Sequence, residues 1–307
     1  MSTAYYNSNK TLLDNFAVER RNQPSMLIAE KIAPMVPVDI NSKSYPIWGN
    51  EFLQLSTNGG RRAPGARAER VDMTYSLGNY NTSEKAFETA LDIREEENAQ
   101  PELRVQKNKI NLITDKQLIT REYNAATNLF NATTFSGYYA ALSGTDKWSN
   151  ASSNPITQVN IAKNSIRQNG VVDPENLHLF VNNATWQALR SNPAIVNITK
   201  YSTYQLLTTD VVAAALGLKG IHIGSGVIDT NGTKSDIWGN YALFGFINES
   251  PEIEDVSMAK TFILKEKDMR IDSWYNQDLS SWFWRSKWDY DIKVTAASSG
   301  YLFGTVI

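Results

Sequence analysis

The stretch QPELRVQKNKINLITDKQLITREYNAATNLFN, residues 100–131, sets the scale of whatever this chain folds into. Leu112, Ile119, Tyr123, Ala126 and Phe130 recur at helical spacings and predict one apolar stripe, broken only by Lys116. Pro101 suits a first helical turn. Glu95, Glu96, Glu97 and Glu102 put negative charge at the helix start, where the macrodipole favours it. Some 30 residues at about 1.5 Å each give a rod of roughly 45 Å. That is long for a globular domain, so the segment reads as a structural beam.

A second stretch demands a surface to lie on. Residues 46–53 (PIWGNEFL) and 71–80 (VDMTYSLGNY) read as two strands flanking a Gly- and Arg-rich tip. Between Ser56 and Arg70 nothing larger than Ala asks for a core, and the stretch carries Arg61, Arg62, Arg67 and Arg70. A lone two-stranded ribbon is marginal in water. Docking on another protein chain is the favoured reading over a disordered tip and over nucleic-acid binding, for which the tip offers no aromatic residue to stack on bases. The first 45 residues read as an arm with one short helix, limited by Pro34 and Pro37.

Residues 142–155 are rich in Ser, Asn and Gly and read as a linker. After it the pattern turns α/β. A helix is expected over PITQVNIAKNSIRQN, then a strand at ENLHLFVN and a helix interrupted at Pro193. A helix ending near Gly217 follows, with strands at IHIGSG and DIWGNYALFGFI. In SWFWRSKWDYDIKV, residues 281–294, alternation puts Trp282, Trp284, Trp288, Tyr290 and Ile292 on one face, with Ser286 between them. This is a strand with a buried aromatic face; a sugar-stacking platform is the competing reading.

With 307 residues and 42% apolar content the chain can bury a sizeable core. A net charge of −2 argues against a general nucleic-acid or anionic-membrane binder. Cysteine is absent, which removes disulfides, thiolate metal sites and cysteine nucleophiles. Neither a signal peptide nor a membrane span is expected. His178 and His222 sit in strand-like segments without metal spacing and read as structural. Phosphate-loop, nucleophile-elbow and EF-hand patterns are all unmet. No catalytic site, metal or cofactor is expected.

The order of arm, ribbon with a Gly-Arg tip, beam helix, α/β part and aromatic strands resembles the major capsid proteins of tailed bacteriophages, the Hong Kong 97-type fold. LHLFVNNATWQALRSNPAIVNITKYS, residues 177–202, is the closest local likeness, to the strand, helix and Asn-Pro turn of their central domain. The resemblance implies an α+β fold with an N-terminal arm at 1–45 and an extended β-hairpin loop at 46–80. It further implies a peripheral domain with the spine helix at 81–150 and 250–307, and an axial domain at 151–249.

It also implies a structural virion protein, not an enzyme, that assembles into hexamers and pentamers of an icosahedral head around packaged double-stranded DNA. Expected partners are other copies, a portal, a separate scaffolding protein and a cement protein. Packaged DNA would be held without sequence-specific contact, and no membrane is involved. The chain would assemble in the host cytoplasm and reside in the virion. Met1 lies close to the arm, so a leading scaffolding segment is not expected. No lysine stands between Lys43 and Lys85, so a lysine cross-link at the loop tip is not expected either. The positive tip (Arg61, Arg62, Arg67, Arg70) is expected to dock on a neighbour's acidic stretch, Glu88, Asp92, Glu95, Glu96 and Glu97. An encapsulin-like nanocompartment protein and a carbohydrate-binding β-rich module are the alternatives.

Overall fold

The computed structural model describes residues 26–48, 51–55, 59–98, 105–199, 207–265 and 267–307. Two mixed sheets and a long helix organise it. The first sheet is built on β13 (Ser281–Val294), the strand with the aromatic alternation. It pairs antiparallel with β4 (Ser83–Asp92), β12 (Arg270–Asn276) and β11 (Ala259–Leu264), and β11 in turn pairs parallel with β1 (Met35–Val38). Trp284, Ser286, Trp288, Tyr290 and Ile292 are buried as the alternation predicts, and Trp282 sits at the rim. The sugar platform required those rings in the open, so their burial overturns it.

The second sheet runs β5 (Tyr139–Ala141), β14 (Gly300–Gly304), β10 (Ala242–Phe246), β6 (Leu177–Asn182) and β7 (Gly220–Gly224). Helices α4 (Pro155–Asn169), α5 (Asn183–Ser191), α6 (Pro193–Thr199) and α7 (Thr209–Leu216) accompany it. Their ends follow local chemistry. Asn182 caps α5 through Thr185 N at 2.8 Å, and Pro193 separates α5 from α6. Gly217, at φ 61°, closes α7 in the left-handed conformation.

The expected linker at 142–155 is part of this core. Trp148 is buried, and Asn192 Nδ2 donates to Trp148 O, Asn150 O and Ser153 Oγ. Its polar composition serves these bonds rather than solvent. Residues 139–148 and 300–306, assigned from sequence to the helix-bearing part, also pair or pack with this second sheet. A further hairpin, β8 (Val227–Thr230) with β9 (Thr233–Asp236), adds to the expected elements. Asn231 and Gly232, both at positive φ, are its turn signal.

Within the described residues the beam helix α3 spans Val105–Leu129, 25 residues and about 37 Å. Pro101 lies outside the described residues. The predicted stripe is corrected as well: Ala126 and Phe130 are buried, but Leu112 and Tyr123 are exposed. The helix instead buries Ile110, Ile113, Thr114, Gln117, Arg121, Glu122, Ala125 and Leu129. Counting apolar residues alone missed a buried face that contains bonded polar side chains.

Candidate assembly surface

The ribbon pairs β2 (Ser42–Trp48) with β3 (Tyr75–Asn81), so the strands start and end a few residues from the expected limits. Its base is a small core of its own: Tyr45 and Tyr80 pack on Phe262, with Val36 and Val38 beside them. Gly78 lies directly under the Tyr45 ring, where any Cβ would collide. Away from this base the ribbon opens to solvent. Val71, Met73, Tyr75 and Leu77, at alternate positions in the sequence, are all more than 60% exposed, and Leu53 and Leu55, before the tip, are exposed too. Tyr75 and Leu77 lie on β3, and Val71 and Met73 precede it in the chain.

The arginines are placed unevenly. Arg61, Arg62, Arg67 and Arg70 are all exposed. Arg70 pairs locally with Asp72 at 3.1 Å. The acidic stretch runs along β4 into α2 (Ile93–Asn98), and its described acids Glu88, Asp92 and Glu95 are already engaged within the chain. Glu88 receives both Nε and Nη2 of Arg285, at 2.9 and 2.6 Å. Glu95 pairs with Lys109 at 2.9 Å, and Asp92 accepts the Arg94 N–H. The side chains of Glu96 and Glu97 lie outside the described residues.

Exposed apolar side chains also mark α3. Leu112 and Tyr123 stand open, with Ile119 half-buried between them, a row of about 17 Å along the helix. This row and the exposed residues of the ribbon share an apolar character.

Behind α3 lies a buried joint. The Glu122 carboxylate accepts Ile28 N at 2.7 Å, Ala29 N at 2.8 Å and Trp238 Nε1 at 2.6 Å. It thus ties α3 to the short helix α1 (Ala29–Ile32) and to the segment leading into β10. Burial raises its pKa, opposed by the three donated bonds and by Arg121. Arg121 reaches Glu30 at 3.5 Å and stacks over Trp288 at 4.9 Å. No residue pattern announces this joint, because the partners of Glu122 lie 93 to 116 positions away.

No group of three or more His, Cys, Asp or Glu side chains among the described residues is placed to hold a metal ion. No helix among them is long and apolar enough to cross a membrane.

No protein-family model matches the chain. The major capsid protein of Burkholderia phage BcepMu is 24% identical over 241 residues, covering 77% of this chain and 75% of that protein. Among solved structures, a phage-related protein from Bordetella bronchiseptica RB50 superposes with a TM-score of 0.76 at 19% identity, over 96% of this chain and 97% of its own. The capsid protein of cyanophage P-SCSP1u superposes with a TM-score of 0.61 at 11% identity, over 91% and 88%. The architecture is the Hong Kong 97-type fold.

Proposed function

We infer that this chain is a major capsid protein of a tailed phage, a structural subunit that assembles with copies of itself into the virion shell. One observation carries the reading furthest: the fold of a phage capsid protein covers 91% of the chain and includes a ribbon whose outer residues are apolar and exposed. In an isolated soluble protein such a row is a liability. In a shell it is an interface.

In finer terms, residues 1–45 act as the arm and 46–80 as the extended loop; 81–150 and 250–307 form the peripheral domain except for 139–148 and 300–306, which join 151–249 in the axial domain. The ribbon row Val71, Met73, Tyr75 and Leu77 lies on the α3 row Leu112, Ile119 and Tyr123 of the neighbouring copy. Apolar burial supplies the attraction at about 25 cal/mol per Å². Arg61, Arg62 and Arg67 steer the tip toward the neighbour's acidic stretch. The internal pairing of Glu88 and Glu95 limits that role to steering, since an arginine there must compete with Arg285 or Lys109. Hexamers and pentamers, a portal, a separate scaffolding protein, a cement protein and assembly in the host cytoplasm belong to the same proposal. The shell is held without a lysine cross-link at the tip, and DNA fills it without sequence-specific contact.

Negative-stain microscopy of the purified chain, produced with and without its neighbouring genes, tests this. Closed polyhedra or hexagonal sheets are expected. A chain that stays monomeric in both preparations overturns the reading. DNA inside the particles distinguishes a phage head from an encapsulin-like compartment.

A further inference from the structure

The chain has two histidines, and the fold brings them together. His178 on β6 and His222 on β7 stand on adjacent parallel strands, with His222 Nε2 3.1 Å from His178 Nδ1. One ring nitrogen supplies the hydrogen and the other accepts it. His222 also stacks on Phe180, with centroids 5.1 Å apart and planes 21° apart. Gly220 backs the pair, and an added Cβ there would stand 3.4 Å from His178 Nδ1.

The pair forms one wall of a cavity of about 630 Å³. The N-terminal segment forms another wall with Glu30, Lys31, Pro34 and Met35, and Ile247, Glu249, Ser250 and Pro251 complete it. The charged neighbours are therefore Glu30 and Lys31 of α1, Lys219 before β7 and Glu249 after β10. Glu30 is held by Arg121, and Glu249 by Lys219 at 2.7 Å.

We propose that His178 and His222 form an acid-sensitive seam between the second sheet and the N-terminal segment, closed when the pair carries at most one proton and opened by two. A first proton can be shared across the 3.1 Å contact as a charge-assisted bond. A second leaves two N–H groups and two positive charges facing each other, with Lys31 opposite. The cavity gives the rings room to part.

Burial lowers the pKa of both rings first. Repulsion from His178 and then Lys31 takes His222 further, to about 4. The unfolded chain, with histidines near their ordinary value of about 6.5, then binds more protons than the folded one. The stabilisation is complete above that value and is lost as pH falls toward about 4. Glu122, bonded at the N-terminal end of α1, acts with the opposite sign. Its raised pKa makes the folded state gain stability as pH falls, so acid loosening of the segment would not come from it. The inference stands apart from the shell reading, because a single copy contains the whole seam.

Hydrogen exchange on the purified full chain tests it, with rates corrected for the intrinsic pH dependence. Peptides covering residues 26–38 should lose up to about 100-fold in protection between pH 6.5 and 4.5 relative to α4. The double substitution His178→Gln/His222→Gln should remove that excess loss. Equal pH dependence in both proteins overturns the proposal.

If the double variant does not fold, ring-labelled histidine NMR of the unmodified chain decides, since both signals belong to this pair. Two separated titrations, the lower near 4, are the expected result. Two independent titrations near 6.5 refute the seam.

Discussion

The buried face of α3 and the outer row of the ribbon invert the usual assignment of residues. The helix buries Gln117, Arg121 and Glu122, while the ribbon leaves Leu55, Val71, Met73 and Leu77 in solvent. The inversion has one explanation on each side. Two of the buried polar side chains have long-range partners: Gln117 Nε2 donates to Lys85 O at 2.9 Å, and Glu122 accepts three N–H groups. The exposed apolar groups have no cover among the described residues, and on the proposed reading a neighbouring copy supplies it. Polarity alone therefore does not say which face of an assembling subunit is inside. The count of satisfied bonds on one side and uncovered apolar area on the other does.

Breaking the buried half of this comparison should have the largest effect. Glu122→Ala leaves the Ile28, Ala29 and Trp238 donors without their acceptor in the interior. A loss of about 3–5 kcal/mol in folding stability is expected, by analogy with removing one partner of a buried charged pair. Urea denaturation of the unassembled chain measures it. A loss below about 1 kcal/mol would mean that the three donors find other partners and that the joint is incidental. Glu122→Gln keeps one carbonyl oxygen and should fall between the two proteins.

The exposed half should respond in the opposite way. Met73→Asp with Leu77→Asp touches no core and should change the stability of the isolated chain by no more than about 0.5 kcal/mol per site. Assembly should fail, because each side chain would otherwise contribute about 1.5–3 kcal/mol when fully buried. Light scattering under assembly conditions reads the difference. Normal shells from this double variant would show that the row is not an interface. Leu112→Asp on α3 is the reciprocal change, and it should produce the same block if the two rows meet.

Gly78 lies where the comparison changes sign along the ribbon, between the buried base and the open row. Gly78→Val puts a branched side chain into the Tyr45 ring and should cost about 1–3 kcal/mol through overpacking. The damage should be local to the ribbon base. Hydrogen exchange should rise in residues 42–48 and 75–81 while the second sheet keeps its protection.

These contrasts also explain how much was legible in the sequence. The β13 alternation was, because a strand with one buried face writes a period of two whatever its partners are. So were α4 to α7, whose Pro, Asn and Gly punctuation is local. The α3 face was misread because Leu112 and Tyr123 follow the helical period as well as any core residue does. Only the distant partners of Arg121 and Glu122 decide which face turns inward. The 142–155 segment was misread for a related reason: Asn and Ser serve a buried bonding cluster around Trp148 as readily as they serve a loop. The candidate site was half legible. The ribbon and its arginines were visible, but the engagement of Glu88 by Arg285 depends on a pairing between strands 197 positions apart.

That engagement sets the smallest expected effect. Arg61→Ala, Arg62→Ala and Arg67→Ala together remove exposed charges that make no core contact, so the isolated chain should keep its stability. If the tip only steers, assembly should slow at low salt, and the difference from the unmodified protein should vanish above about 0.5 M salt, where screening leaves little long-range attraction. The final yield of shells should be unchanged, since the apolar row still supplies the attraction. A yield that collapses at every salt concentration would mean that the arginines displace Arg285 or Lys109 from Glu88 and Glu95 on docking. The charges, rather than the apolar row, would then hold the shell, and the contrast between a bonded interior and an apolar exterior would need a third element: ion pairs exchanged between copies.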